Sequence, residues 1–206
     1  MPTISDTQEK GTTNVNLRTL SRTGKEIGPV LRRFFINTLF DSTFMQMGII
    51  IGSTFAANPD LRLVIGTLIS SSVALGISTG VSVYESEKLE RERRVAELEK
   101  ALFRNLDHTM ITENYKTYAI VLSIVNFLTP FMCCGIIIIP LVLAMFRLTS
   151  IATASWASIL LALGILFVAG TYLGRLGKQN PFIKGLRMTA FGVIAFVVGF
   201  LIKTLI

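Results

Sequence analysis

Apolar residues dominate five runs of this chain, at 36–57, 63–83, 118–146, 151–173 and 188–206. Each approaches or exceeds the about 20 residues with which a helix crosses the hydrocarbon layer of a bilayer. None shows the alternation over about ten residues that marks a strand of a membrane barrel, so the backbone polar groups must be satisfied inside helices. The pattern predicts an all-α membrane protein with five transmembrane helices. The second run has no stop signal, because neither Gly nor Pro occurs from Val81 to Leu106. Charged residues take over after Tyr84, yet Leu89, Val95, Ala96, Leu102, Phe103 and Leu106 maintain an apolar stripe. Helix two is therefore expected to extend beyond the membrane as a cytoplasmic amphipathic helix.

Ahead of the first run, residues 1–23 are rich in Thr, Ser, Asn and Gln and lack the apolar core of a signal peptide. They read as a disordered tail. Gly28-Pro29 reads as a break, and Arg32 and Arg33 amid apolar residues suit a segment lying in the headgroup layer. The expected organisation is a cytoplasmic tail and interfacial segment at 1–33, then a five-helix transmembrane domain at 34–206 that includes a Glu-rich helical extension at 84–117.

Composition agrees with this picture. A hydrophobic share of 51% and a mean hydropathy of +0.60 exceed what a water-solvated domain carries. Lys and Arg number six before the first run, one (Arg62) after it, seven between runs two and three, one (Arg147) after run three, four between runs four and five, and one (Lys203) near the end. By the positive-inside rule, the N-terminus, 84–118 and 174–187 are cytoplasmic and the C-terminus is outside, in the cell membrane if the source is a prokaryote. The net charge of +7 is thus a topology signal, and no nucleic-acid motif accompanies it.

Asp41 is the anomaly of the first run. A carboxylate at membrane depth costs roughly 2.5–3.5 kcal/mol on insertion scales and normally faces a partner, a wet cavity or an ion. Asp41, Met45, Gly48 and Gly52 share one helical face, which puts a thioether one turn from the carboxylate and two glycines where another backbone could approach. In the second run Gly66, Ser70, Ala74, Ser78 and Ser82 recur at every fourth position beside Gly76 and Gly80, and these rows are expected to pack closely, against the Gly48/Gly52 face and at a homodimer axis. On the extension, Glu85, Glu92 and Glu99 repeat at seven-residue intervals, Glu87 and Glu90 stand four before Arg91 and Arg94, and Glu97 completes the group. Pro130 and Pro140 interrupt run three and free carbonyls there. Runs four and five read as scaffold. Cys133 and Cys134 form no CxxC pair and read as small buried hydrophobes, while His108 beside Asp107 reads as a surface residue. No nucleophile with a base, phosphate loop or histidine pair is present, so an enzyme is not expected.

With those residues in view, the chain resembles the vacuolar iron transporter family, in its compact prokaryotic form. The resemblance rests on Phe34 to Gly52 with Asp41, on Gly76-Ile-Ser-Thr-Gly-Val-Ser-Val-Tyr-Glu-Ser-Glu-Lys-Leu-Glu-Arg-Glu92, and on Leu128-Thr-Pro-Phe131 leading to Pro140. It covers the first three runs. It implies a dimer of five-helix subunits that exports Fe²⁺, Mn²⁺ or similar divalent cations from the cytosol in exchange for protons. It also implies that Asp41 faces the dimer-interface pathway and that the Glu85–Glu99 group takes up metal, with no permanently bound cofactor. Three patterns differ: Ser42 stands where the family usually has Gly, and Ser78-Thr79 and Ser82-Val83-Tyr84 replace Ser-Met and Gly-Glu-Tyr. Met45 is the sulfur closest in sequence to Asp41. A membrane-embedded interaction protein, docking a partner through its charged helix, is the alternative reading.

Overall fold

The computed structural model describes residues 4–54, 59–102, 110–177 and 179–205. It is all helical, with α1 Ile4–Thr54, α2 Leu61–Leu102, α3 Met110–Met145, α4 Ile151–Leu176 and α5 Pro181–Leu205. Five of its segments, Gly28–Thr54, Leu61–Ala101, Tyr118–Met145, Ile151–Leu176 and Pro181–Leu205, are long and apolar enough to cross a membrane. Large apolar side chains such as Leu160, Val168, Phe182 and Leu201 stand exposed along α4 and α5. Water does not tolerate so extensive an apolar surface, and the architecture fits a multi-pass membrane protein.

Two compact units are present, Met1–Phe34 and Phe35–Ile206. The first is helical from Ile4 and contains Pro29 inside the helix, where the sequence led us to expect a tail and a break. A proline removes one donor and need not end a helix that continues on both sides. The second unit has one core, formed by Met47, Ile50 and Ile51 of α1, Val64 and Leu68 of α2, Ile137 and Leu141 of α3, and Ala154, Ile159 and Ala162 of α4.

Helix α2 is continuous over 42 residues, from within the apolar run into the charged stretch, as the missing breakers predict. It starts earlier than expected. Asp60 Oδ1 accepts from the backbone N–H groups of Arg62 (2.9 Å) and Leu63 (3.4 Å), so Leu61 and Arg62, ahead of the apolar run at 63–83, belong to the first turn of a capped helix. The α4–α5 connection is likewise shorter than 174–187, because α4 runs to Leu176 and α5 begins at Pro181, which places Lys184 and Arg187 on the helix. Glycines permit this tight hairpin. A Cβ on Gly174 would lie 2.6 Å from Pro181 Cα, and one on Gly170 would lie 2.9 Å from Gly185 Cα.

Helices α2 and α3 are joined where proline leaves a gap. Pro130 has no N–H, so the Asn126 carbonyl four residues earlier loses its helical donor. Thr79 Oγ1 of α2 lies 3.3 Å from that carbonyl and also donates within its own helix to Leu75 O. Nearby, Ser123 Oγ donates to the Gly80 carbonyl at 2.7 Å. Gly76 and Gly80 sit against α3, the former with a would-be Cβ 2.8 Å from Phe127 O, the latter 3.2 Å from Phe127 Cβ. Both are buried inside one chain. The dimer role expected of them is therefore corrected: a glycine filled by α3 of its own chain has no surface to offer a second copy. The expected pairing of the Gly48/Gly52 face with α2 is also absent, since a Cβ on Gly48, Gly52 or Gly66 would meet nothing within 4 Å.

Candidate functional site

Thr38, Ser42, Thr43 and Gln46 of α1 are buried against the rest of the bundle, whereas Asn37 is exposed. Thr38 Oγ1 donates to Asn126 Oδ1 at 2.9 Å, and Asn126 Nδ2 donates to Leu122 O at 2.8 Å. Gln46 Nε2 donates both to Ser72 Oγ (3.1 Å) and to Pro130 O (3.2 Å), which ties α1 to α2 and α3 at one level. Its Oε1 is buried without a partner. Ser42 donates to the Thr38 carbonyl, and Cys133 and Cys134 are buried in α3. Sequence reasoning missed Gln46, Thr38 and Ser72 as the anchors of α1. A signal was available on α1, where Thr38, Ser42 and Gln46 recur every fourth residue as polar positions in an apolar run.

The charged residue lies on the other side. Asp41 is exposed, Met45 is 38% exposed, and Gly48 and Gly52 continue the same open face. The Asp41 carboxylate accepts from Asn37 Nδ2 at 3.2 Å, one turn earlier, which orients it along the helix. The row Gly66, Ser70, Ala74, Ser78 and Ser82 of α2 is exposed too. Of two adjacent small-residue rows in α2, one is thus filled by α3 and the other is open. Ser42 points away from the open face into the bundle.

The six glutamates are not gathered at one point. Glu85 and Glu92 are exposed and Glu99 is half-buried, and the seven-residue repeat puts the three along one stripe of α2. Glu87 is buried at 8% exposure on another side, where Arg91 stands 4.8 Å over the Tyr118 ring of α3. Glu90 pairs with Arg94 at 3.1 Å, and Glu97 is exposed. Among the described residues no group of three His, Cys, Asp or Glu side chains could hold a metal ion within one chain. Asp107 and His108 lie outside the described residues.

No family model matches the chain. It is 24% identical over 174 residues to an uncharacterized protein of Methanocaldococcus jannaschii, an alignment that takes in 83% of this chain and 87% of that one. The similarity thus runs through nearly the full length of both. The chemistry has to be argued from the residues.

Proposed function

We propose that the protein is a member of the vacuolar iron transporter family that moves divalent cations such as Fe²⁺ or Mn²⁺ out of the cytosol as a homodimer, in exchange for protons. One observation carries the reading. Asp41 is a carboxylate on the open side of a helix long and apolar enough to cross a membrane, with Met45 one turn away. Lipid cannot solvate that charge, so the open face is completed by something polar. A second copy does this best. Two open α1 faces meeting about a two-fold axis bring two carboxylates and two thioethers together, a mixed hard and soft donor set suited to a transition-metal dication. The small-residue row of α2 flanks the same pathway and allows close approach. The Glu85/Glu92/Glu99 stripe then raises the local cation concentration at the cytoplasmic mouth. The decisive test is metal-dependent quenching of a dye trapped in proteoliposomes, where wild-type protein gives Fe²⁺ or Mn²⁺ flux above empty vesicles. If it gives none, the interaction-protein reading replaces this one, favoured by Leu89, which is 60% exposed on the charged extension.

Two further outcomes follow from the geometry. Gly52→Cys is expected to cross-link between copies, whereas Val198→Cys on the exposed side of α5 is not; efficient linkage through Val198→Cys alone puts the dimer axis elsewhere. Replacing Glu85, Glu92 and Glu99 together by Gln is expected to raise the half-saturating metal concentration several-fold at low ionic strength. The effect shrinks as salt shortens the Debye length from about 30 Å at 0.01 M to about 8 Å at 0.15 M. A salt-independent loss of maximal rate would instead make these carboxylates ligands.

A further inference from the structure

A cleft lies at the end of the bundle where α1 connects to α2 and α3 to α4, lined by residues 60–62, 144–145 and 147–151. The connections after runs one and three each carry a single base, and the cleft brings those two, Arg62 and Arg147, to one place. Neither guanidinium has an ion pair or hydrogen bond among the described residues.

Each arginine sits where local rules disfavour it. Arg62 follows Asp60 and Leu61 in the first turn of α2, at the positive end of the helix dipole. Arg147 has φ of 60°, the left-handed position that ends a helix and that glycine adopts at least cost. The surrounding bonds fix that position, since Leu148 N donates to Leu143 O at 3.2 Å and Arg147 N donates to Ala144 O at 3.0 Å. Departures from local preference concentrate where a chain has a function to serve. Two arginines and one carboxylate line the cleft, where the N-termini of α2 and α4 and the C-terminus of α3 lie, and the carboxylate, Asp60, is engaged in capping α2. Apolar Leu61, Met145, Leu148 and Ile151 complete the walls.

We propose that this cleft binds the phosphate headgroup of an anionic phospholipid, with Arg62 and Arg147 on the phosphate and the apolar lining against the start of the acyl chains. A free inorganic anion would have no use for those walls. The inference goes beyond metal transport and shares with it only the placement of the helices in a bilayer. Lipid binding can fail while flux persists, or the reverse.

The test uses the full chain in dodecyl maltoside, with lipid adducts counted by native mass spectrometry and thermal midpoints read in parallel. Dioleoylphosphatidylglycerol is expected to be retained more tightly than dioleoylphosphatidylcholine and to raise the midpoint. Arg62→Gln and Arg147→Gly are each expected to weaken phosphatidylglycerol retention by about fivefold, the equivalent of about 1 kcal/mol per base. Arg147→Gly relieves the left-handed backbone, so it is expected to fold at least as well as wild type and to lose lipid all the same. Arg187→Gln, an exposed base on α5, removes the same charge elsewhere and is expected to leave retention unchanged. Equal retention of both lipids, an equal loss in Arg187→Gln, no loss in the two cleft variants, or the same stabilisation by millimolar inorganic phosphate would each overturn the proposal.

Discussion

Asp41→Asn is expected to lower the proposed metal flux by about two orders of magnitude in initial rate, while the protein still elutes at the wild-type volume. Asparagine preserves the shape of the side chain, and its Oδ1 can still accept from Asn37 Nδ2, so the helix has no reason to reorganise. The variant lacks only the negative charge that, in the proposed transport, offsets the loss of water around a dication. A few kcal/mol of such compensation corresponds to about a hundredfold in rate. The measurement is dye quenching in proteoliposomes of matched protein density, with elution volume as the control for assembly. Wild-type flux from Asp41→Asn would make Asp41 a packing residue and move the pathway elsewhere.

The second large effect is structural. Gly76→Val is expected to destabilise the fold by about 3 kcal/mol, and Gly66→Val on the same helix to leave it nearly unchanged. Both substitutions replace glycine by the same β-branched residue in α2, so their difference isolates packing. At Gly76 the new Cβ falls 2.8 Å from the backbone oxygen of Phe127 and 3.0 Å from the Phe131 ring. A backbone oxygen can retreat only if α3 moves, and α3 is held to α2 by Thr79 and Ser123. At Gly66 a Cβ meets nothing within 4 Å. Unfolding midpoints in detergent decide the matter, and equal losses in the two variants would show that helix propensity, not packing, governs α2.

Much of the fold was legible because a bilayer imposes so coarse a rule. An apolar run of sufficient length has one way to satisfy its backbone, and α2 had to continue past Tyr84 because nothing between Val81 and Leu102 could stop it. What could not be read were relations between helices. The Gly66 and Gly76 rows of α2 are both small, and periodicity alone does not say which of them α3 will fill. The prolines of α3 announced freed carbonyls, but the donor for Asn126 O came from Thr79, 47 residues away. The α4–α5 turn was overestimated because four bases between the apolar runs looked like a loop. The glycines that let the helices run on into the turn, Gly170, Gly174 and Gly185, make sense only as a set drawn from two elements. At the candidate site the shared face of Asp41, Met45, Gly48 and Gly52 followed from spacing, whereas its being open did not, nor did the burial of Glu87 beside α3, because charge runs ordinarily mark solvent.

The unbroken course of α2 has a mechanical consequence. Its 42 residues make a rod of about 63 Å, roughly twice the thickness of the hydrocarbon layer. With no glycine or proline between Val81 and Leu102, the outer half has no hinge at which to absorb a tilt. A rotation of about 10° about its midpoint would sweep either end through about 5 Å, close to one helical turn. The Glu-bearing end and the apolar end of α2 beyond its Gly76/Gly80 contact with α3 are thus the two arms of one lever. A load on the first is felt as an angle by the second.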